Sequence, residues 1–244
     1  MTYRPTALVV HHAVHVYVAA VASMQPARLD DLLDSGETAR SSSFQSEPAR
    51  RRFIGGHALL RTVLGEFVGV APHKLRFDHG PCGKPRLASN SADSVWFNLA
   101  HSGELAIVAI SATSELGVDV ERIRPIPEAL KIAERAFDSS SCTVLHETAP
   151  EHRDATFLRH WTRLEALAKA TGCGLVPSLG QAEELRGAGR MVERLGDKYG
   201  RRARRFEVID LPLESGYVGT LAVESPHPPE YSWFLAAAQS RSWD

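Results

Sequence analysis

Two carboxylates stand two residues apart at the end of an apolar run, Leu116-Gly117-Val118-Asp119-Val120-Glu121. In an extended strand, period 2 sets Leu116, Val118 and Val120 on one face, with Asp119 and Glu121 together on the other. Paired hard oxygens suit Mg2+, although solvated acids at a strand end read the same way. Further along, Glu165 and Lys169 have the i, i+4 spacing of a helical ion pair. They border an apolar stripe of Phe157, Trp161, Leu164 and Ala168. With partial burial, the carboxylate would join Asp119 on a metal and the ammonium would face the phosphates bound there. His101, in Asn98-Leu99-Ala100-His101-Ser102-Gly103, falls at a strand-to-turn junction, where an imidazole serves as phosphate donor or acid–base group. Arg50-Arg51-Arg52 opens a helix and Arg61 follows. Cations oppose the dipole at that end, and a bound anion would offset the cost.

Other signals carry less. Gly80-Pro81-Cys82-Gly83-Lys84 lacks the spacing of a P-loop. Arg201-Arg202-Ala203-Arg204-Arg205 has no interleaved aromatics and reads as a solvated segment. His11, His12 and His15 have no accompanying ligand set. Cys82, Cys142 and Cys173 are odd in number and form no CxxC pair, which argues against a disulfide scaffold or zinc ribbon. Lys+Arg 28 and Asp+Glu 29 leave a net charge of −1, excluding a polybasic coat or an acidic disordered tail. The apolar run Val16 to Ala22 behind Arg4 is too short to span a bilayer and a poor export signal. The expectation is a cytoplasmic protein that binds neither membrane nor nucleic acid.

These residues need elements to hold them. Ala7–Ala22 reads as one or two strands and Leu29–Ser46 as a polar helix then loop. Glu47-Pro48 opens a helix to Val68, with Phe53, Leu60, Leu64 and Phe67 on one face, ended by Gly69 and Pro72. Leu75–Phe77 reads as a short strand and 79–85 as a loop. Val95–Ala100 and Leu105–Ser111 form a hairpin around His101-Ser102-Gly103, and Leu116–Val120 is the next strand. Helices are expected over 128–137, 140–147 and 152–170, the last stopped by Gly172 and Gly174. Phe206–Leu211, Tyr217–Val223 and Trp233–Ala237 close the chain as strands. The pattern predicts an α+β fold of two similar halves, residues 1–113 and 114–244.

The order of these motifs resembles that of the 4′-phosphopantetheinyl transferases of the Sfp type. Gly83-Lys84-Pro85, Phe97 through Gly103, Leu116 through Glu121 and Trp161 through Leu175 carry the resemblance, which runs from about Arg40 to Leu179. It implies transfer of the phosphopantetheine arm of coenzyme A to a serine of an apo acyl or peptidyl carrier protein, with adenosine 3′,5′-bisphosphate released. It also implies a two-half monomer with its site in the cleft between the halves. Mg2+, with Mn2+ as a substitute, would sit on Asp119, Glu121 and Glu165. Lys169 would contact the pyrophosphate, His101 a coenzyme A phosphate, and Arg40, Arg52 and Lys84 the adenine and 3′-phosphate. Trp161 would pack.

Three positions depart from the family pattern. Leu164 replaces a lysine sometimes cast as proton acceptor, so the base would be Glu165 or water on the metal. Ala100 replaces a serine before the histidine, and Glu37 stands where some members have lysine. Carrier docking is expected over Ile126–Leu145, through Leu130, Lys131, Ile132, Arg135 and Phe137. The competing readings are another Mg2+-dependent phosphoryl or nucleotidyl enzyme, and a non-catalytic carrier- or coenzyme A-binding relative.

Overall fold

Proline presets a helical φ and lacks the N–H that a first helical turn leaves unused. Pro48 and Pro150 each start a helix of 22 residues on this basis. Both helices end on a glycine in the left-handed region, Gly69 (φ 71°) and Gly172 (φ 69°), where a side chain would be strained. These two helices organise the two halves of the fold.

The computed structural model describes residues 6–11, 14–21, 29–80, 83–88, 95–172, 191–195, 204–224 and 236–237. The chain divides into two units. Met1–Gly80, Pro85–Thr113 and Tyr231–Asp244 form the first; Pro81–Lys84 and Ser114–Glu230 form the second. The first contains β1 (Thr6–His11), β2 (Val14–Ala20), α1 (Ser35–Ser42), α2 (Glu47–Val68), β3 (Phe77–His79), β4 (Pro85–Leu87), β5 (Trp96–Ser102) and β6 (Leu105–Ser111). Leu60, Val63 and Leu64 of α2 pack on Phe97, Val108 and Ile110 of β5 and β6, with Val95 and Leu99 at the margin.

Arg61 is fully buried and committed to this unit's structure. Its guanidinium pairs with Asp34, donates to Glu37 Oε2 at 2.6 Å, and donates to the Pro72 and Leu75 carbonyls at 2.9 and 3.2 Å. Glu37 also meets His57 Nδ1 at 2.8 Å. Burial pushes the Glu37 carboxyl up, but hydrogen bonds from His57, the Asp34 N–H and Arg61 outweigh it and hold it below its ordinary range. The anion-binding reading of Arg61 is therefore corrected. Arg50 and Arg51 pair with Glu47, so a first-turn carboxylate offsets their charge.

Three local expectations shift. The strand expected at Leu75–Phe77 is Phe77–His79, because Leu75 is buried behind the Pro72–Lys74 turn and its carbonyl accepts from Arg61 and Arg76. His79 and Pro85 pair across a two-stranded ladder, so the expected loop is shorter. His101 and Ser102 belong to β5, opposite Ala106 and Leu105, and the turn falls on Gly103 and Glu104.

The second unit comprises β7 (Leu116–Arg122), α3 (Ala129–Ala136), α4 (Ser139–Glu147), α5 (Pro150–Thr171), β8 (Met191–Leu195), β9 (Arg204–Asp210) and β10 (Tyr217–Glu224). Its antiparallel sheet runs β7-β10-β9-β8. In the first unit the order is β11-β1-β2-β6-β5, where β11 is Ala236–Ala237. Each unit thus sets a long helix on an antiparallel sheet, the expected α+β class. Of the strand expected at Trp233–Ala237, only the last two residues are described. Strand β8 was not expected. Residues 173–190, with Gly174 and Leu175 of the motif, lie outside the described residues, as do Cys82, Cys173 and His12.

On α5, Ala166, Leu167 and Ala170 pack on Phe206, Val208 and Ala222. Arg163 holds Asp210 of β9 through two hydrogen bonds of 2.9 and 2.7 Å, and the Thr162 and Thr220 hydroxyls meet at 3.0 Å. Arg204 is not solvated as expected: it pairs with Glu115 and with Glu224 at 2.8 Å and lies over the Phe206 ring.

His160 on α5 is 6% exposed, its ring lies 5.6 Å from that of Phe137, and its Nδ1 has no partner. Burial, then the Arg163 charge, pushes it down to about 4. The unfolded chain takes a proton near pH 6.5 that the folded state refuses, so stability is full above that pH and falls as pH drops towards 4. The loss is about 3 kcal/mol. His160→Leu is expected to flatten that part of the stability curve. Thermal midpoints of both proteins between pH 7 and pH 4 check it.

Candidate active site

Strand β7 meets α5 where the strand has no side chain. A Cβ at Gly117 would fall inside the contact radii of the Ala166 carbonyl oxygen and the Ala170 nitrogen, and 2.8 Å from the Lys169 carbonyl carbon. Backbone therefore rests on backbone. The flanking residues, Glu165 and Lys169 on the helix and Asp119 on the strand, are drawn to one seam.

The Lys169 ammonium donates to Asp119 Oδ1 at 2.6 Å and to the Val118 carbonyl at 3.3 Å. Asp119 is 7% exposed, and its Oδ2 is buried with no partner. Burial raises the Asp119 carboxyl to about 6; Lys169 opposes this, and Glu165 and Glu121 add to it. Burial also pushes Glu165 up, against Lys169 and with Glu121. Glu121 lies at 3.7 Å from Arg124. The structure thus brings the strand pair Asp119 and Glu121 near the helix pair Glu165 and Lys169.

Among the described residues no three carboxylate, imidazole or thiol groups form a ready metal cage. Lys169 supplies the counter-charge at one Asp119 oxygen. The donor set still fits a divalent cation. One buried carboxylate oxygen has no partner, and two further carboxylates raise its proton affinity, which are the conditions a hard cation relieves.

The other expected site residues fall as follows. Arg40, Arg52 and His101 belong to the first unit. Exposed Arg40 lies over the Phe53 ring at 5.5 Å, and half-buried Arg52 is in the second turn of α2. His101 is exposed on β5, above Gly56 of α2. Lys84 belongs to the second unit, where its ammonium donates to the Leu116 and Ala170 carbonyls, each at 2.9 Å. Leu164 and Ala100 are buried. Trp161 stacks on Phe157 (6.1 Å between centroids). Leu130 and Phe137, expected to dock a carrier, are half-buried and pack against the cluster of Ala133, Leu145 and Phe157. Ile132 remains exposed, as do Ile123 and Val144. Sequence reasoning passed over Arg163 and the steric role of Gly117. A glycine breaking an apolar strand was the available signal for the latter.

Residues 115–222 match the 4′-phosphopantetheinyl transferase superfamily. The chain is 39% identical over 152 residues to the 4′-phosphopantetheinyl transferase HetI of Nostoc sp., covering 61% of this chain and 64% of that protein. It is 37% identical over 150 residues to a putative 4′-phosphopantetheinyl transferase of Synechocystis sp., covering 62% and 61%. It is 32% identical over 125 residues to the 4′-phosphopantetheinyl transferase AcpT of Escherichia coli, covering 51% and 60%. Each match spans less than two thirds of the relative's length. No helix among the described residues is long and apolar enough to cross a membrane.

Proposed function

We propose, from the match of residues 115–222 to the 4′-phosphopantetheinyl transferase superfamily, that the chain is a member of that family and moves the phosphopantetheine arm of coenzyme A to a serine of an apo carrier protein. The observation that carries this reading is the group of Asp119, Glu165 and Lys169 gathered on the Gly117 seam. Attack and departure both occur at a crowded pyrophosphate, and this seam supplies both signs of charge that such a reaction needs.

Asp119, Glu121 and Glu165 would hold Mg2+, or Mn2+ in its place. When bound, the ion neutralises charge developing on the pyrophosphate oxygens. The remaining steps belong to the chain. Lys169 turns its ammonium from Asp119 to the departing phosphate oxygen. The serine oxygen bonds to the β-phosphorus, the bond from that phosphorus to adenosine 3′,5′-bisphosphate breaks, and the serine proton goes to Glu165. Leu164 beside it is buried hydrocarbon and takes no proton. His101, Arg52 and Arg40 supply donors and positive charge for the coenzyme A phosphates. The carrier would meet the stretch Ile126–Leu145, in which Ile132 and Val144 are exposed. We assign the reaction to one copy of the chain in a reducing cytoplasm, where unpaired cysteines such as Cys142 persist.

Intact mass spectrometry tests this. An apo acyl carrier and an apo peptidyl carrier are each mixed with the protein, coenzyme A and Mg2+. The expected result is a gain of one phosphopantetheine arm on at least one carrier, abolished by EDTA and restored by Mg2+ or Mn2+. Tight coenzyme A binding with no gain on either carrier would overturn the reading in favour of a non-catalytic binding protein.

A further inference from the structure

Strand β7 is the edge of its sheet, so it has a neighbour on one side only within that sheet. Its Glu115 carbonyl accepts from Glu224 towards β10. The alternation of an antiparallel ladder turns the next carbonyls, Leu116 and Val118, the other way. Two ammonium groups meet them. Lys169 reaches the Val118 carbonyl at 3.3 Å, and Lys84 reaches the Leu116 carbonyl at 2.9 Å.

Lys84 also meets α5. The last carbonyls of a helix have no partner within it, and the negative end of the helix dipole favours a cation there. Ala170 is in the final turn of α5, and its carbonyl accepts from Lys84 at 2.9 Å. The aliphatic stem of Lys84 lies over Gly172, the residue that ends the helix. One ammonium therefore ties the end of α5 to the start of β7. It does so beside the contact of Gly117 with Ala166 and Ala170, one residue from Lys169.

We propose that Lys84 is a positioning residue, whose bridge between Leu116 and Ala170 fixes the last turn of α5 so that Lys169 and Glu165 meet Asp119. This assignment replaces the phosphate-binding role expected from the motif. Its kinetic readout rests on the transferase reading above.

The experiment compares wild type with Lys84→Met, which keeps the stem and loses the ammonium, and Lys84→Arg, which keeps the charge. Transfer is measured with coenzyme A and with 3′-dephospho-coenzyme A. The temperature is one at which circular dichroism shows each variant fully folded. A displaced reacting group costs about ten- to a hundredfold in rate, so Lys84→Met is expected to lose that much kcat equally with both substrates. The ratio of their KM values should be unchanged, and Lys84→Arg should recover part of the loss. A rise in KM for coenzyme A alone would overturn the proposal and return Lys84 to the 3′-phosphate. A lowered thermal midpoint with unchanged kcat would also overturn it, as would no change at all. If the wild type transfers nothing, the transferase reading has failed and amide exchange decides the bridge by itself. Faster exchange at residues 170–172 in Lys84→Met, with the rest of α5 unchanged, would support it, and unchanged exchange would overturn it.

Discussion

Asp119→Asn is expected to lower transfer by about a hundred- to a thousandfold or more, and at the same time to raise the thermal midpoint of the metal-free protein. The two effects share one cause. Asp119 is buried, one of its oxygens has no partner, and two carboxylates stand near it. Its pKa rises from 3.8 to about 6. A raised carboxyl pKa means that the folded state holds the proton more tightly than the unfolded chain. Stability therefore falls as pH rises from about 4 to about 6, and the penalty stands in full above that. The shift corresponds to about 3 kcal/mol. Asparagine keeps the shape and removes the charge. Lys169 loses its ion pair in exchange, but its side chain is 30% exposed and reaches water. Added Mg2+ should raise the midpoint of the wild type by mass action and leave that of the variant unmoved. Differential scanning calorimetry at pH 5 to 8, with and without Mg2+, reads all of this. Undiminished transfer by Asp119→Asn at saturating Mg2+ would remove Asp119 from the reaction.

The parts of the site that follow from chain-local rules were legible in the residues. Helix α2 starts at Glu47-Pro48 and stops at Gly69 as capping rules require. The face shared by Asp119 and Glu121 follows from strand period alone, and that of Glu165 and Lys169 from helix period. What stayed hidden was the partner chosen by each long cation. Arg61, Lys84 and Arg204 each read locally as a cation for an anion or for solvent. Arg61 found Asp34, 27 residues away in sequence, and Lys84 found the Ala170 carbonyl, 86 residues away. Arg204 found Glu115, 89 residues away. No local pattern encodes such distances, because the desolvation of a cation is settled by whichever acceptor the fold brings near. Strand β8 failed for a related reason: strand propensity is largely a statement about neighbours, and its neighbour is β9. Leu130 and Phe137 were legible as apolar, and a mixed apolar and basic stretch reads alike at a docking surface and at the margin of a core, where they lie half-buried.

Gly117→Ala is expected to destabilise the protein by about 3 kcal/mol or more, at the upper end of overpacking costs, and Gly117→Val to prevent folding altogether. The severity comes from what the new carbon would meet. Its three nearest atoms are backbone, the Ala166 oxygen, the Ala170 nitrogen and the Lys169 carbonyl carbon, so no side chain can rotate away. Relief requires α5 to lift from β7. That movement would strip Lys169 from Asp119 and expose Ala166 and Ala170, both fully buried now. Loss of transfer in Gly117→Ala should accordingly exceed the unfolded fraction: even at low temperature, the folded molecules would hold Lys169 and Glu165 out of place. Gly56 in α2 is the control. A Cβ there would meet only the Leu99 methyls at 3.7 Å and His101 Cδ2 at 3.9 Å, ordinary contacts. Because alanine is the better helix former, Gly56→Ala should stabilise by up to about 1 kcal/mol. One substitution of one methyl group thus carries opposite signs at two glycines. Urea denaturation of the two variants measures the difference, and equal midpoints would show that α5 does not rest on β7 backbone at Gly117.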